Sequence, residues 1–189
     1  MVESVSRYKG FYVGRYEISL VTLDNGNVIA QSAAGKTSAT AATAGTWYGF
    51  YEKAKAYGSS SRTLGVESQM IWGCQYDAMI RWMKNNNIDV NSTTPTDTAR
   101  GKVASRNQTQ TTGSSTSNDI LNNVYDLLGN RREWTQQNSS NDVGVPSDRR
   151  SYRGGGSSII NTPAYRSGGR APVVTETEVG SRLALYVKV

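Results

Sequence analysis

The last third of the chain most constrains its fold. It spaces three motifs, Val124-Tyr-Asp-Leu-Leu-Gly-Asn-Arg-Arg-Glu-Trp134, Tyr152-Arg-Gly-Gly155 and Gly180-Ser-Arg-Leu-Ala-Leu-Tyr186, between stretches of Ser, Gly, Asn, Ile and Arg that lack a helical or strand period. Aromatics, paired glycines and β-type apolar runs require one definite packing, whereas irregular small and polar residues do not. The alternation predicts a rigid frame carrying adaptable loops, an arrangement that suits binding better than catalysis.

The 189 residues, 37% hydrophobic and 19% charged, fit one domain with long surface insertions. Residues 10–19 are aromatic and β-branched and read as a strand, and Asp24-Asn-Gly-Asn27 is a hairpin signal. Residues 32–46 are a Ser/Ala/Thr/Gly tract that predicts a loop, and 32–65 as a whole reads as a loop-rich insertion. The spacing predicts a helix over 68–85, with Cys74, Ala78, Met79, Trp82 and Met83 as a core stripe, Asp77 near the polar face, and a stop at Asn85-Asn-Asn87. Cys74 reads there as a small buried hydrophobe. Residues 91–118, rich in Thr, Ser, Asn and Gln, predict a second, exposed insertion. Then come a turn at Gly129-Asn130, a strand at 132–135 with Trp134 inward, and strands at Tyr152 and over 182–189, the last with period two. Gly154-Gly-Gly156 predicts a tight strand exit or a close backbone approach. The sum is an α+β domain of short antiparallel strands, one or two helices and long loops. The patterned opening at 6–14 suggests the C-terminal part of a longer protein, and no signal peptide is visible.

The chain has no histidine and one cysteine, which excludes Ser-His-Asp and Cys-His catalysis, histidine zinc sites and CxxC pairs. Ala34-Gly-Lys-Thr37 resembles the end of a phosphate-binding loop, but the required earlier glycine is Ala30. Asp126, Glu133, Asp142 and Asp148 have no diagnostic spacing and read as solvated or arginine-paired. The net charge of +6 permits an acidic partner. Between Lys102 and Lys188 the cations are arginines, among them Arg131, Arg132, Arg149, Arg150, Arg153, Arg166, Arg170 and Arg182, suited to structural clamps and binding anchors alike. No nucleic-acid signature accompanies them.

In order and spacing, Gly10-Phe-Tyr-Val-Gly-Arg-Tyr-Glu17, Trp72-Gly-Cys-Gln-Tyr-Asp-Ala-Met-Ile-Arg-Trp82 and the three C-terminal motifs resemble the formylglycine-generating-enzyme branch of the C-type lectin-like fold. The enzymes of that branch use a cysteine pair near the C-terminal end, and this chain offers Cys74 alone. The calcium motifs of sugar-binding C-type lectins are absent as well. The resemblance is greatest to the variable proteins of diversity-generating retroelements, from phages and bacteria, in which adenine-directed mutation scrambles receptor-binding residues on a constant frame. Residues 148–175 contain none of Lys, Gln, Glu, Met or Trp, in keeping with that mechanism.

This resemblance implies a non-enzymatic display domain that recognises a protein or glycan receptor on a host or neighbouring cell surface. It implies a place on a virion tail or a bacterial surface, no cofactor, no metal, no nucleic acid and no membrane insertion, and it is compatible with a homo-oligomer. Tyr, Ser, Gly and Arg are also the residues of antibody-like paratopes. The expected contact residues are Tyr152, Ser157, Ser158, Ile159, Ile160, Asn161, Tyr165, Ser167 and Arg170, with Arg131 and Arg132 as contributors. For the Arg131-Arg132 pair, an ion pair with Glu133 or another carboxylate is the equal alternative. Trp134, Gly154, Gly155, Gly180 and Arg182 are expected in the frame. The rival functions are a formylglycine-generating-like oxidase and a structural virion or cell-surface subunit.

Overall fold

The structure, a computed structural model, describes residues 6–7, 9–60, 65–88, 90, 111–114, 120–127, 129–139, 149–156 and 166–187, with the backbone alone for 166–168. Its organising element is a three-stranded antiparallel sheet that joins the two ends of the chain. Strand β1 (Tyr12–Val13) and strand β4 (Val66–Met70) flank β11 (Leu183–Val187), with Leu183 opposite Met70. Leu183 and Met70 enter one core with Ile18, Trp47, Phe50 and Trp134. The next residues along the chain, Ala184 and Ile71, enter a second core with Tyr76, Met79, Met83 and Leu127. Successive strand side chains point to opposite faces, so this sheet is buried on both sides. The period-two pattern expected for 182–189 is accordingly absent at its start, where Leu183 and Ala184 are both buried.

Two short helices and a hairpin complete the first core. Strands β2 (Ile18–Thr22) and β3 (Val28–Ser32) form the predicted hairpin, closed by Leu23 N–H donating to the Asn27 carbonyl at 2.8 Å. Residues 10–19, expected as one strand, thus divide between β1 and β2. Helix α1 (Ala41–Ala44) is capped by Thr40, whose Oγ1 accepts from Thr43 N–H at 3.2 Å while Thr43 Oγ1 accepts from Thr40 N–H at 2.9 Å. Helix α2 (Thr46–Ser59) follows and places Trp47, Phe50, Tyr51, Ala54 and Tyr57 against the core, a spacing of three and four residues. The loop expected over 32–46 is found over 33–40 and is corrected beyond it, where α1 and α2 begin, and these two helices also correct the loop-rich insertion expected over 32–65. Ala39, Ala41 and Ala44 are buried because small side chains let this segment lie close to the sheet.

Helix α3 (Gly73–Asn85) begins later than expected, since residues 66–70 are strand β4. Trp72 N–H donates to Gln75 Oε1 at 2.9 Å, which fixes the helix start. The buried stripe is Tyr76, Met79, Ile80 and Met83, rotated from the expected one: Cys74 and Trp82 face solvent. Asp77 lies at the half-buried edge of the helix.

The C-terminal motifs build a second, four-stranded sheet. Strand β7 (Arg132–Asn138) pairs in parallel with β10 (Val179–Ser181) and antiparallel with β8 (Arg150–Arg153), and β9 (Arg166–Arg170) is the outer strand. Trp134 is fully buried at the centre, as expected. Gly154 ends β8 at φ +74°, where a Cβ would come within 2.8 Å of the Leu127 carbonyl oxygen, so close backbone approach accounts for this glycine.

Strands β5 (Ile120–Leu121) and β6 (Val124–Tyr125) form a small hairpin. Most of the expected insertion over 91–118 lies outside the described residues. Its described part, 111–114, is tied down: Thr112 is buried, its N–H donates to the Lys36 carbonyl at 2.8 Å, and Gly113 N–H donates to Asp126 Oδ2 at 2.8 Å. The described residues form a mixed α+β domain. Among them no helix is long and apolar enough to cross a membrane.

Candidate functional site

The arginines of the C-terminal motifs fall into two sets, and the division locates the candidate binding face. The first set is inside. Arg182 and Glu133 are both buried, with Arg182 Nε 2.9 Å from Glu133 Oε1 and 3.2 Å from Oε2. The remaining Arg182 donors reach the carbonyls of Gly14 (2.9 Å), Arg15 (3.0 Å) and Tyr125 (2.7 Å), so one guanidinium joins the segment before β2, the end of β6 and strand β7. Burial opposes its charge, but Glu133, by charge and hydrogen bonds, more than offsets this and holds the guanidinium above its ordinary pKa.

Arg153 is also buried and donates from Nη2 to Asp77 Oδ1 at 2.7 Å and to the Gly73 carbonyl at 3.2 Å, tying β8 to the start of α3. Arg131, expected as a contact residue, is buried as well. Its N–H donates to Glu17 Oε1 at 3.0 Å and its Nη1 to the Thr177 carbonyl. Burial lowers its pKa against the opposing charges of Glu17 and Glu178. Glu133, one of the carboxylates considered for it, is instead the partner of Arg182.

Tyr152, expected at the binding face, belongs to the core because its position on β8 lies directly opposite Trp134 of β7. Arg132 covers it: the guanidinium carbon is 5.2 Å from the ring centroid and Nη1 donates to the hydroxyl at 3.3 Å. Arg132 is thus half-buried, with its Cγ 3.3 Å from where a Cβ on Gly156 would lie.

The second set lies around the outer strand. Arg150 and Arg170 are register partners on β8 and β9, an unfavourable placement for like charges unless they turn apart. They do. Arg150 lies over the Trp47 ring at 4.4 Å and donates to Asn138 Oδ1, whereas Arg170 Nε donates to Glu176 Oε1 at 2.6 Å. The hydrogen bond and charge of Glu176 raise the Arg170 pKa. Arg170 remains 46% exposed, and an exposed pair of this kind contributes little to stability. Trp47 N–H donates to the Pro172 carbonyl at 3.1 Å, and the neighbours of those two residues, Tyr48 and Val173, are exposed.

Ser157, Ser158, Ile159, Ile160, Asn161 and Tyr165 lie outside the described residues, in the connection from β8 to β9. Ser167 is on β9, opposite Tyr152. The described structure therefore brings Arg170 and the backbone of Ser167 to the outer strand, leaves Arg132 half-buried over the Tyr152 ring, and takes Arg131 and Tyr152 into the frame. Tyr48, Arg149 and Arg150 were not expected at this face, and Trp47 is buried beneath Arg150. The aromatic run Trp47-Tyr-Gly-Phe-Tyr51 and the Arg149-Arg150 pair were the available signals. Among the described residues no group of His, Cys, Asp and Glu is placed to hold a metal ion.

No family model matches the chain, and no curated protein sequence matches it. Solved structures do. The Major Tropism Determinant I1 variant is 15% identical with a TM-score of 0.56, over 95% of this chain and 51% of that one. CarF is 11% identical with a TM-score of 0.56, over 94% of this chain and 86% of that one. Treponema denticola variable protein 1 is 17% identical with a TM-score of 0.48, over 65% of this chain and 48% of that one. The chain thus spans about half the length of the tropism determinant and of the Treponema protein. With β1 paired to β11 and its motifs assembled around Trp134 and Arg182, the mixed α+β chain fits the C-type lectin-like fold of the tropism determinant and CarF.

Proposed function

We propose that the chain is a non-enzymatic display domain, diversified by a retroelement, that recognises a protein or glycan receptor on a host or neighbouring cell through its C-terminal region. One observation carries the reading: the motif arginines Arg131, Arg153 and Arg182 are consumed by buried hydrogen bonds, while Arg170 stands exposed on the outer strand. The connection that leads to this strand holds the irregular Ser, Ile, Asn and Tyr residues. Changes there would leave the Arg182–Glu133 tie untouched, which is what a diversified surface on a constant frame requires. One structural neighbour is by name a tropism determinant, and this chain would share such a role. A phage tail or a bacterial surface is the corresponding location. The contact set is Ser157, Ser158, Ile159, Ile160, Asn161, Tyr165, Ser167 and Arg170, with Arg132 at its rim.

The test is a binding screen of the labelled chain against intact cells of a panel of bacterial strains, followed by the double variant Tyr165→Ala/Arg170→Ala. Binding to at least one strain, lost in the variant while thermal unfolding stays nearly unchanged, is the expected result. Loss of folding would move these residues into the core and remove the assignment. Failure to bind any strain would favour a structural subunit, and turnover of a Cys-containing peptide would favour an oxidase. Sibling sequences from the same source should vary between Ser157 and Arg170 and hold Tyr152, Arg153 and Gly154 constant.

A further inference from the structure

A groove of about 540 Å³ lies between the start of α3 and the sheet, lined by Trp72, Cys74 and Asp77 on one wall and by Gln137, Asn138 and Arg150 on the other. The walls meet at Gly73, where a Cβ would lie 1.9 Å from Gln137 Oε1 and 2.9 Å from its Cβ. Beneath them the buried Arg153 guanidinium donates to the Gly73 carbonyl (3.2 Å), Asp77 Oδ1 (2.7 Å) and Gln137 Oε1 (3.4 Å). One buried cation therefore sets the positions of polar groups on both walls before any ligand arrives, which lowers the ordering cost of binding.

The charges do not cancel. Asp77 is matched by Arg153, whereas Arg150 meets the neutral Gln136 carbonyl at 3.4 Å, the Asn138 side-chain oxygen and the Trp47 ring. Among the described residues the groove lining holds one positive charge in excess, and the first turn of α3, which carries no acidic residue, adds its own positive end. Around this charge stand a half-buried indole, the Gln137 and Asn138 amides, which both donate and accept, and the Asp77 carboxylate, which accepts. Hydroxyls, which donate and accept at one atom, are the ligand groups such a mixture satisfies, and an indole offers apolar surface to the C–H side of a sugar ring. We infer that this groove binds an acidic saccharide unit of the uronic-acid type, its carboxylate on Arg150, its hydroxyls on Asp77, Gln137 and Asn138, and its ring against Trp72. None of these residues lies in 157–170, so the groove is separate from the proposed contact set and does not depend on that reading.

Glucuronate and glucose share one ring and differ in the carboxylate, so titrating both into the isotope-labelled chain and following amide shifts tests each part. Glucuronate should saturate with a Kd on the order of 1 mM, as suits a ligand of this size. Glucose should bind about fivefold more weakly, the contribution of one partly exposed charge pair. Trp72→Ala should abolish both, and Arg150→Gln should bring glucuronate to the level of glucose. Raising NaCl to about 0.5 M should narrow the preference in the unmodified chain, which tests the charge even if Arg150→Gln folds poorly. No saturable shift with glucuronate, equal affinity for the two sugars, or binding that survives Trp72→Ala would each overturn the inference. Tyr165→Ala/Arg170→Ala should leave glucuronate binding unchanged, so this site and the receptor face fail separately.

Discussion

Arg182 and Glu133 form a bidentate pair from which water is excluded, with side-chain exposures of 0% and 1%. All the N–H donors of the guanidinium are engaged, on this carboxylate and on the carbonyls of Gly14, Arg15 and Tyr125. Removing one partner would leave the other charge buried and uncompensated. Arg182→Met and Glu133→Leu should each destabilise the chain by about 3–5 kcal/mol in urea unfolding, and the double variant should recover much of that loss. Arg182→Lys should not rescue, because an ammonium has three donors and no planar fork to reach this set.

Stability should depend on pH through Glu17. Its carboxylate is buried and accepts from Ser38 Oγ (2.6 Å), Asn130 Nδ2 (2.7 Å) and Arg131 N–H (3.0 Å). Burial, and then the negative charges of Asp126 and Glu133, push its pKa well above the ordinary 4.5. The folded chain therefore holds this proton at pH values where the unfolded chain has released it. The stabilisation is fully present below the ordinary value and is lost as pH rises through the folded value. Unfolding free energies measured from pH 5 upward should fall with pH, and Glu17→Gln should flatten the slope. An unchanged slope in that variant would place the titration elsewhere.

Tyr152 and Arg170 should behave oppositely although both were expected at one binding face. Tyr152→Ala removes a ring packed in the core and should cost about 3–5 kcal/mol. Arg170→Ala removes one half of an exposed ion pair and should change stability by less than about 1 kcal/mol. Comparing the two denaturation midpoints is the direct check.

Gly154→Ala should destabilise by about 1–3 kcal/mol, because its φ of +74° disfavours any side chain and the new Cβ would meet the Leu127 carbonyl at 2.8 Å. Folding at wild-type stability would show that the strand exit can shift.

Cys74 should react with a thiol reagent in the native chain, since it lies on the exposed side of α3. Labelling of the folded chain is expected, and protection until denaturation would return Cys74 to the core stripe.

Much of the frame was legible in the sequence because its motifs combine residues with few structural alternatives. Trp134 had to be buried, Gly154 had to permit close approach, and a hairpin was written into Asp24-Asn-Gly-Asn27. Helix α2 was less legible. Its stripe of Trp47, Phe50, Tyr51, Ala54 and Tyr57 has helical spacing, but Gly49 and Gly58 within it, and the small residues before it, weaken the local preference. The sheet decides the matter by supplying a face for those aromatics. In α3 the period was visible but not its phase, because Cys74, Met79, Trp82 and Met83 offer more than one apolar arc, and packing chose the arc that carries Tyr76 and Ile80.

The sequence alone determined what chemistry the chain lacks, having no histidine and a single cysteine, and which motifs would hold its frame. It could not say which arginines would be walls and which would be surface. Arg131, Arg153, Arg170 and Arg182 carry the same side chain, and their neighbours along the chain do not distinguish them. The difference is whether folding brings carboxylates and carbonyls to the guanidinium: Arg182 finds Glu133 from 49 residues away and the Gly14 carbonyl from 168, while Arg170 finds Glu176 from six, at the exposed edge. Burial of a charge is set by such distant partners, and only the tertiary structure brings them together.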